Sequence, residues 1–295
     1  MFPSESHPIV NAFTEELHNG NTKHKDKKSA YLQKVITTLG WRNRYSQADQ
    51  YPMELNLPRE ANKKVTFHVR QIQRGEIDRT FGTGATVWPA SIVLVKYLEV
   101  ICHLMPEQKK NLVIGDIGSG TGITSIAAGL IFPNSHVFCT DGEDPVVDLA
   151  LKNVRSAGKE LNSLDGNFNQ PSNCVQIGSS LVHVNKYWWG DGSIVQNMKR
   201  IVSNDEGFDI IICSDCLLPK LYPIDPLVEA LDECMSIKTI AYFTYEHRYY
   251  PNYDPKEYFI NCCRNKRLSV RTVPLKEQHT IYSVEDIDVL EIKRQ

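Results

Sequence analysis

The stretch Asn111-Leu112-Val113-Ile114-Gly115-Asp116-Ile117-Gly118-Ser119-Gly120-Thr121-Gly122 decides how this chain is read. Leu112 to Asp116 is a short apolar run that ends in an acid, as a buried strand does when it meets a polar edge. Three glycines at alternate positions follow, and then the helix-like segment Ile123 to Phe132 begins. Glycines in such a turn allow positive φ and let the backbone approach a ligand closely. The stretch therefore predicts a strand, a tight turn and a helix, the unit from which doubly wound α/β sheets are built.

Working outward, His136 to Asp141 is a second strand that also ends in an acid. Asp144 followed by Pro145 predicts an N-cap and a first-turn proline for a helix carrying Val146, Val147, Leu149, Ala150, Leu151 and Val154. Phe208 to Asp215 and Thr239 to Tyr245 are further strands. Leu268 to Leu275 and Asp286 to Lys293, with no helix pattern between them, predict an antiparallel hairpin. Upstream, Pro89 to Met105 is an apolar run interrupted by Lys96, Glu99 and His103, too short and too charged for a bilayer span, and predicts a buried helix. Val65, Phe67 and Val69 alternate with polar residues as in a half-buried strand. Residues 1 to 62 are polar and irregular and predict an N-terminal extension; 63 to 295 form the α/β domain. Ser156 to Asn173, rich in Ser, Asn, Gly and Asp, predicts a surface insertion.

Composition sets bounds on this plan. The 295 residues are 41% hydrophobic and 23% charged, which excludes fibrous and wholly disordered classes. Thirty-three basic against 35 acidic residues give a net charge of -2, with no polybasic footprint for nucleic acid or an anionic membrane. The N-terminal residues show no secretory or transit pattern, so cytosol or nucleus is the expected compartment. Eight scattered cysteines are expected as reduced thiols. Cys213 and Cys216 form one C-x-x-C; with no second ligand pair at suitable spacing, small buried hydrophobes are the expected reading and no metal is assigned.

Ligands of open α/β sheets sit at the carboxyl ends of strands, where strand order reverses. Asp141 lies nineteen residues beyond Gly122, at a separation suited to ribose hydroxyls. A dinucleotide fingerprint begun at Gly118 needs glycine at 123, where the chain has Ile123, and a phosphate loop needs a Gly-Lys-Ser/Thr that does not follow. The remaining acid-x-Gly-x-Gly-x-Gly turn is the pattern for S-adenosylmethionine, whose ammonium and sulfonium favour carboxylates such as Asp116.

The ordered set Gly84-Ala85-Thr86-Val87-Trp88-Pro89-Ala90, Asp116 to Gly122, Thr140-Asp141, Lys152-Asn153, Trp189-Gly190, Ser214-Asp215, Tyr245-Glu246-His247-Arg248 and the tail from Tyr282 resembles seven-strand S-adenosylmethionine-dependent protein-lysine methyltransferases, in the branch related to the valosin-directed member. The resemblance implies a Rossmann-like, mostly parallel seven-stranded sheet with a C-terminal antiparallel hairpin and helices on both faces. It implies that Trp88 and Trp189 border the cofactor, Trp189 by packing on adenine, although aromatics more often serve a core. Gly118, Ser119 and Gly120 form the cofactor cradle, Asp141 meets the ribose, and Ser214 contributes backbone. Asp215 is the implied catalytic residue, positioning the acceptor ammonium. The implied partner is a protein substrate of the valosin-type ATPase or chaperone kind, and a monomer is expected.

Two features qualify that picture. The related pattern is Asp-x-x-Tyr or Asp-x-x-Phe, whereas this chain reads Asp215-Cys216-Leu217-Leu218, so the aromatic at 218 is missing and Tyr222, Tyr249 or Tyr250 are its possible substitutes. His247 is read either as a general base or, more readily, as a surface or structural residue, and Glu246 with Arg248 as an ion pair at the substrate rim. A histidine or small-molecule acceptor, and a catalytically inactive cofactor-binding interaction module, remain as alternatives.

Overall fold

A computed structural model describes residues 40–74, 81–103, 111–162, 171–202, 207–219 and 221–295. The compact body runs from Arg44 to Gln295. In chain order it contains strands β1 (Gln50–Leu57) and β2 (Lys63–Arg70), helix α1 (Pro89–Cys102), β3 (Val113–Ile117), α2 (Ile123–Ile131), β4 (His136–Asp141), α3 (Asp144–Leu161), β5 (Cys174–Ile177), β6 (Ser180–Lys186), α4 (Ser193–Val202), β7 (Ile210–Ser214), α5 (Ile224–Cys234), β8 (Ile240–Glu246), α6 (Pro255–Asn265), β9 (Leu268–Thr272) and β10 (Ile287–Arg294).

The main sheet has the order β5-β6-β4-β3-β7-β8-β10-β9. Pairing is parallel through β6, β4, β3, β7 and β8, and antiparallel where β10 enters between β8 and β9. The α/β class and the terminal antiparallel pair match the sequence expectation. The sheet has eight strands rather than seven because the four-residue β5 adds an antiparallel edge to β6. Successive strands move outward from β3 in one direction to β4 and β6, and in the other to β7 and β8. The order therefore reverses between β3 and β7, which opens a crevice at their carboxyl ends.

Burial explains the central strands. All five residues of β3 are buried, and Ile210 to Cys213 of β7 are buried too, as expected of parallel strands covered on both faces. The predicted buried helix is α1, with thirteen of its fourteen residues inside. Its Lys96 and Glu99 form an ion pair of 2.7 Å with both side chains 5% exposed. Lys96 also donates to the Glu54 carbonyl, and Glu99 accepts the Asn56 N–H at 3.1 Å, which fastens β1 to α1.

Several boundaries differ from the sequence reading, three of them by more than a strand end. The extension expected over 1–62 is interrupted by β1, which pairs antiparallel with β2 and buries Tyr51, Met53, Leu55 and Leu57. That alternation has the period of a strand, but Pro52 and the polar residues between hide it. Residues 1–39 of the extension lie outside the described residues. The insertion expected from Ser156 begins later, since α3 continues to Leu161; residues 163–170 also lie outside the described residues. Finally, Asp144 is the first residue of α3 and not its cap. Glu143 holds the extended cap position, with Pro145 in the first turn.

Candidate active site

A cleft of about 370 Å³ opens at the β3–β7 switch point. Its floor is the glycine turn after β3. The Gly118 and Ser119 N–H groups donate to the Thr140 carbonyl at 3.0 and 2.8 Å, so the turn is tied to the neighbouring strand rather than left free. Gly118 and Gly120 have φ of 75° and 54°. A Cβ on Gly118 would lie 2.7 Å from the Cys216 sulfur, and one on Gly120 would lie 2.7 Å from the Gly84 carbonyl oxygen. Both positions need glycine twice over, for conformation and for room. Asp141, at the end of β4, accepts the Gly120 N–H at 3.1 Å and lines the cleft. Burial pushes its carboxyl above the ordinary range, opposed by that N–H bond.

Three indoles and two tyrosines, Tyr187 and Tyr222, line the cleft. Trp88 donates its ring N–H to the Thr83 carbonyl at 2.9 Å. Trp189 stands over Gly118, its ring 3.6 Å from where a Cβ would be, and meets Tyr222 edge-on at 5.9 Å. Trp188, 53% exposed, lies against Gly142, next to Asp141. The Tyr222 hydroxyl shares a hydrogen bond of 2.5 Å with Thr83 across the cleft, and Leu218 lines the same wall. Of the possible substitutes for an aromatic at 218, Tyr222 is in this cleft, whereas Tyr249 and Tyr250 line a different cavity.

Asp215 follows β7 with φ of 58°, a left-handed conformation that is uncommon for any residue but glycine and marks a constrained turn. Its N–H donates to the Thr244 carbonyl at 2.8 Å. The carboxylate, 3% exposed, is gripped by Arg248: Nη1 donates to Oδ1 at 2.8 Å and Nη2 to Oδ2 at 2.5 Å. The Glu246 N–H adds a third bond to Oδ1 at 3.1 Å. Burial pushes the Asp215 carboxyl up, and Arg248 pulls against it. Arg248 also donates to the Glu246 carbonyl at 3.0 Å, so the predicted Glu246–Arg248 association exists but Asp215 is its centre.

Eight of the nine predicted residues converge here: Trp88, Gly118, Ser119, Gly120, Asp141, Trp189, Ser214 and Asp215 all line the cleft. Asp116 does not line the cleft. It is fully buried, and its Oδ2 accepts the Thr124 and Ser125 hydroxyls at 2.6 Å each. The side chain therefore bolts β3 to the first turn of α2, and burial raises its carboxyl to about 7. His247 is outside the cleft as well, half-exposed, with Nε2 2.7 Å from Asp288, in keeping with the structural reading. Cys213 is fully buried in the core. Cys216 was read only as a buried half of the C-x-x-C, and Thr83 carries no sequence signal; the Gly142–Trp188 proximity has no local signal either, since 46 residues separate the two.

The fold and this cleft define a class I S-adenosylmethionine-dependent methyltransferase. The fit to the cofactor rests on the glycine cradle, which a single Cβ would fill, and on an acid held at the end of β4 beside it. The sequence profile described as lysine methyltransferase matches residues 70–265, about two thirds of the chain, and the chain belongs to that family. It is 25% identical over 167 residues to the protein-lysine N-methyltransferase EFM3 of Saccharomyces cerevisiae, covering 52% of this chain and 41% of that protein. It is 27% identical over 135 residues to the protein N-terminal and lysine N-methyltransferase efm7 of Neurospora crassa, covering 45% and 42%. It is 25% identical over 224 residues to the protein N-lysine methyltransferase METTL21A of Danio rerio, covering 76% and 86%. The chain thus spans less than half the length of the two fungal relatives.

Proposed function

We propose that this chain transfers a methyl group from S-adenosylmethionine to a lysine side chain of a protein substrate. The observation that carries the reading is the placement of Asp215: a buried carboxylate at the switch point, followed directly by Cys216, whose sulfur abuts the Gly118 cradle. When bound, S-adenosylmethionine would supply a methyl carbon on a cationic sulfur: as a neutral nitrogen bonds that carbon, the sulfur keeps the C–S electron pair and leaves as the thioether S-adenosylhomocysteine, and the nitrogen sheds its extra proton to bulk water on release. Gly118, Ser119, Gly120, Asp141 and Ser214 hold the cofactor in this proposal, with Trp88, Trp188 and Trp189 as its walls.

The acceptor must arrive as a neutral amine, although a free lysine has a pKa of about 10.4. A lone buried carboxylate would hold it as ammonium. Arg248 offsets that effect: it donates to both oxygens of Asp215, which weakens the negative potential that an incoming amine meets. Asp215 then orients the nitrogen and answers the positive charge that develops on it during transfer, while the apolar wall at Leu218 and Tyr222 excludes water. Its task is positioning rather than proton abstraction.

The test is incubation with methyl-labelled cofactor and a panel of proteins, with valosin-type ATPases and chaperones first, followed by mass spectrometry to locate the methyl group. Methyl-lysine formed by wild type and lost in Asp215→Ala is the expected result. Labelling on histidine would move the acceptor assignment, a reading prompted by the apolar Leu218. Cofactor binding without transfer to any protein would overturn catalysis. We also propose a monomer acting in the cytosol, checked by light scattering and by fractionation of expressing cells.

A further inference from the structure

Arg248 faces two cavities. Through Asp215 it borders the cofactor cleft, and on its other side it lines a basin of about 480 Å³ between the end of β8 and the start of α6. Tyrosines dominate that basin. Tyr245 forms its buried floor, 5.5 Å from the His247 ring; Tyr250 and Tyr253 meet edge to face at 6.4 Å; and Tyr249, 89% exposed, stands at the rim. Exposure of so large an aromatic beside three others is unusual for a surface with no partner, and it concentrates π-faces where a cation is attracted to them.

The charges point the same way. Asp254 and Glu257 line the basin, with Glu246 and Asp288 beside it, against two permanent cations, Arg248 and Lys256, and His247. Those cations are turned onto acids: Arg248 grips Asp215, while Lys256 and His247 both lie 2.7 Å from the same Asp288 oxygen. Asp254 caps α6 through the Lys256 and Glu257 N–H groups and remains exposed, as does Glu257. A surface of aromatic rings and outward carboxylates, with its own cations already satisfied, complements a positively charged occupant.

We propose that this tyrosine basin is a docking subsite for a basic polypeptide segment, holding a cationic side chain that neighbours the one to be methylated. The proposal rests on the reading of the adjoining cleft as a methyl-transfer site, because the shared Asp215–Arg248 pair puts an occupant of the basin next to the acceptor position. Specificity for the substrate protein is then set partly outside the cleft, by charge and aromatic contact at the α6 end of the sheet.

Binding can be measured without turnover, by fluorescence anisotropy at about 0.15 M salt. The probes are a fluorescein-labelled octapeptide of alternating Lys and Gly and its alternating Glu and Gly counterpart. Wild type should bind the basic peptide at least about tenfold more tightly. The Tyr249→Ala/Tyr253→Ala double variant should lose about tenfold and Glu257→Lys about fivefold, as expected for exposed cation–π and charge contacts. Affinity for S-adenosylhomocysteine should not change, since none of the three side chains lines the cofactor cleft. Absence of binding, equal binding of the acidic peptide, or unaltered binding by both variants overturns the proposal. Because no methyl group moves in this assay, its failure leaves the transfer reading standing, and failure of the transfer assay leaves this one standing.

Discussion

The two halves of the cleft are built on opposite principles. On the β3–β4 side, shape comes from missing side chains: glycines at 118 and 120, with backbone N–H groups committed to Thr140 and Asp141. On the β7–β8 side, shape comes from a charged pair, Asp215 and Arg248, brought together from 33 residues apart, with the Asp215 carboxylate held almost dry. The first half tolerates no added atoms. The second tolerates no unmatched charge. Since the first is rigid backbone and the second a pair of side chains, the difference suggests that cofactor and acceptor recognition can be altered separately.

Gly120→Ala is the harshest way to test that separation. The new Cβ would meet the Gly84 carbonyl at 2.7 Å, and φ of 54° costs a non-glycine residue roughly 1–2 kcal/mol. Calorimetry with S-adenosylhomocysteine should show affinity lowered by at least about 100-fold. Binding within a few-fold of wild type would mean that the glycine turn is not the cradle.

The acceptor half should respond differently. Asp215→Ala and Arg248→Met should each lower kcat/KM by about 100-fold or more while leaving cofactor affinity within about threefold. Each strands the other partner, at a cost near 2–3 kcal/mol in unfolding free energy once the 28% exposure of Arg248 is allowed for. The double variant should be no worse than the poorer single one, because the pair acts as a unit. Additive losses would show that Asp215 and Arg248 work independently.

Asp116 belongs to the cofactor half but works behind it, and pH separates the two tasks. Its folded-state carboxyl is raised to about 7 by burial, against an ordinary value of 3.8. Between those values the folded chain keeps a proton that the unfolded chain has released. This one group therefore erodes stability as pH rises from about 4 to about 7, with no penalty below that window and the full penalty above it. Asp116→Asn, which still accepts the Thr124 and Ser125 hydroxyls, should flatten that slope in urea unfolding at pH 5 and 7.5. A wild-type slope unchanged by the substitution would place the carboxylate in a more polar setting.

The contrast also explains what could be read in advance. The glycine turn, Asp141 and the parallel strands β3, β4, β7 and β8 are local patterns, in which the need for each residue is visible within a few neighbours. The Asp215–Arg248 grip is not local: Arg248 follows Glu246-His247 in sequence and gives no hint that its partner lies beyond β7. That Asp116 lies off the cleft could not be read, because β3 is buried on both faces and alternation along it cannot tell which face holds the cleft. β5 escaped because four residues beside a Ser- and Asn-rich stretch carry too little pattern, β6 because His183 and Asn185 break up its apolar residues, and β1 because Pro52 sits within it.

The mildest change sharpens the comparison most. Leu218 and Tyr222 share one wall, but the Tyr222 ring is set edge-on to Trp189 and its hydroxyl is tied to Thr83, which directs it toward the cofactor half. If the acceptor half lacks a π-face of its own, Leu218→Phe should supply one. A cation–π contact at a partly solvated site amounts to about 0.5–1 kcal/mol, which lowers KM for a lysine-bearing substrate about two- to fivefold with kcat little changed. The KM for S-adenosylmethionine should stay where it was. A weakened cofactor KM instead would show that position 218 faces the cradle, and that the division between the halves runs on the far side of β7. An unchanged substrate KM would mean that Tyr222, despite its tie to Thr83, already gives the acceptor its aromatic contact.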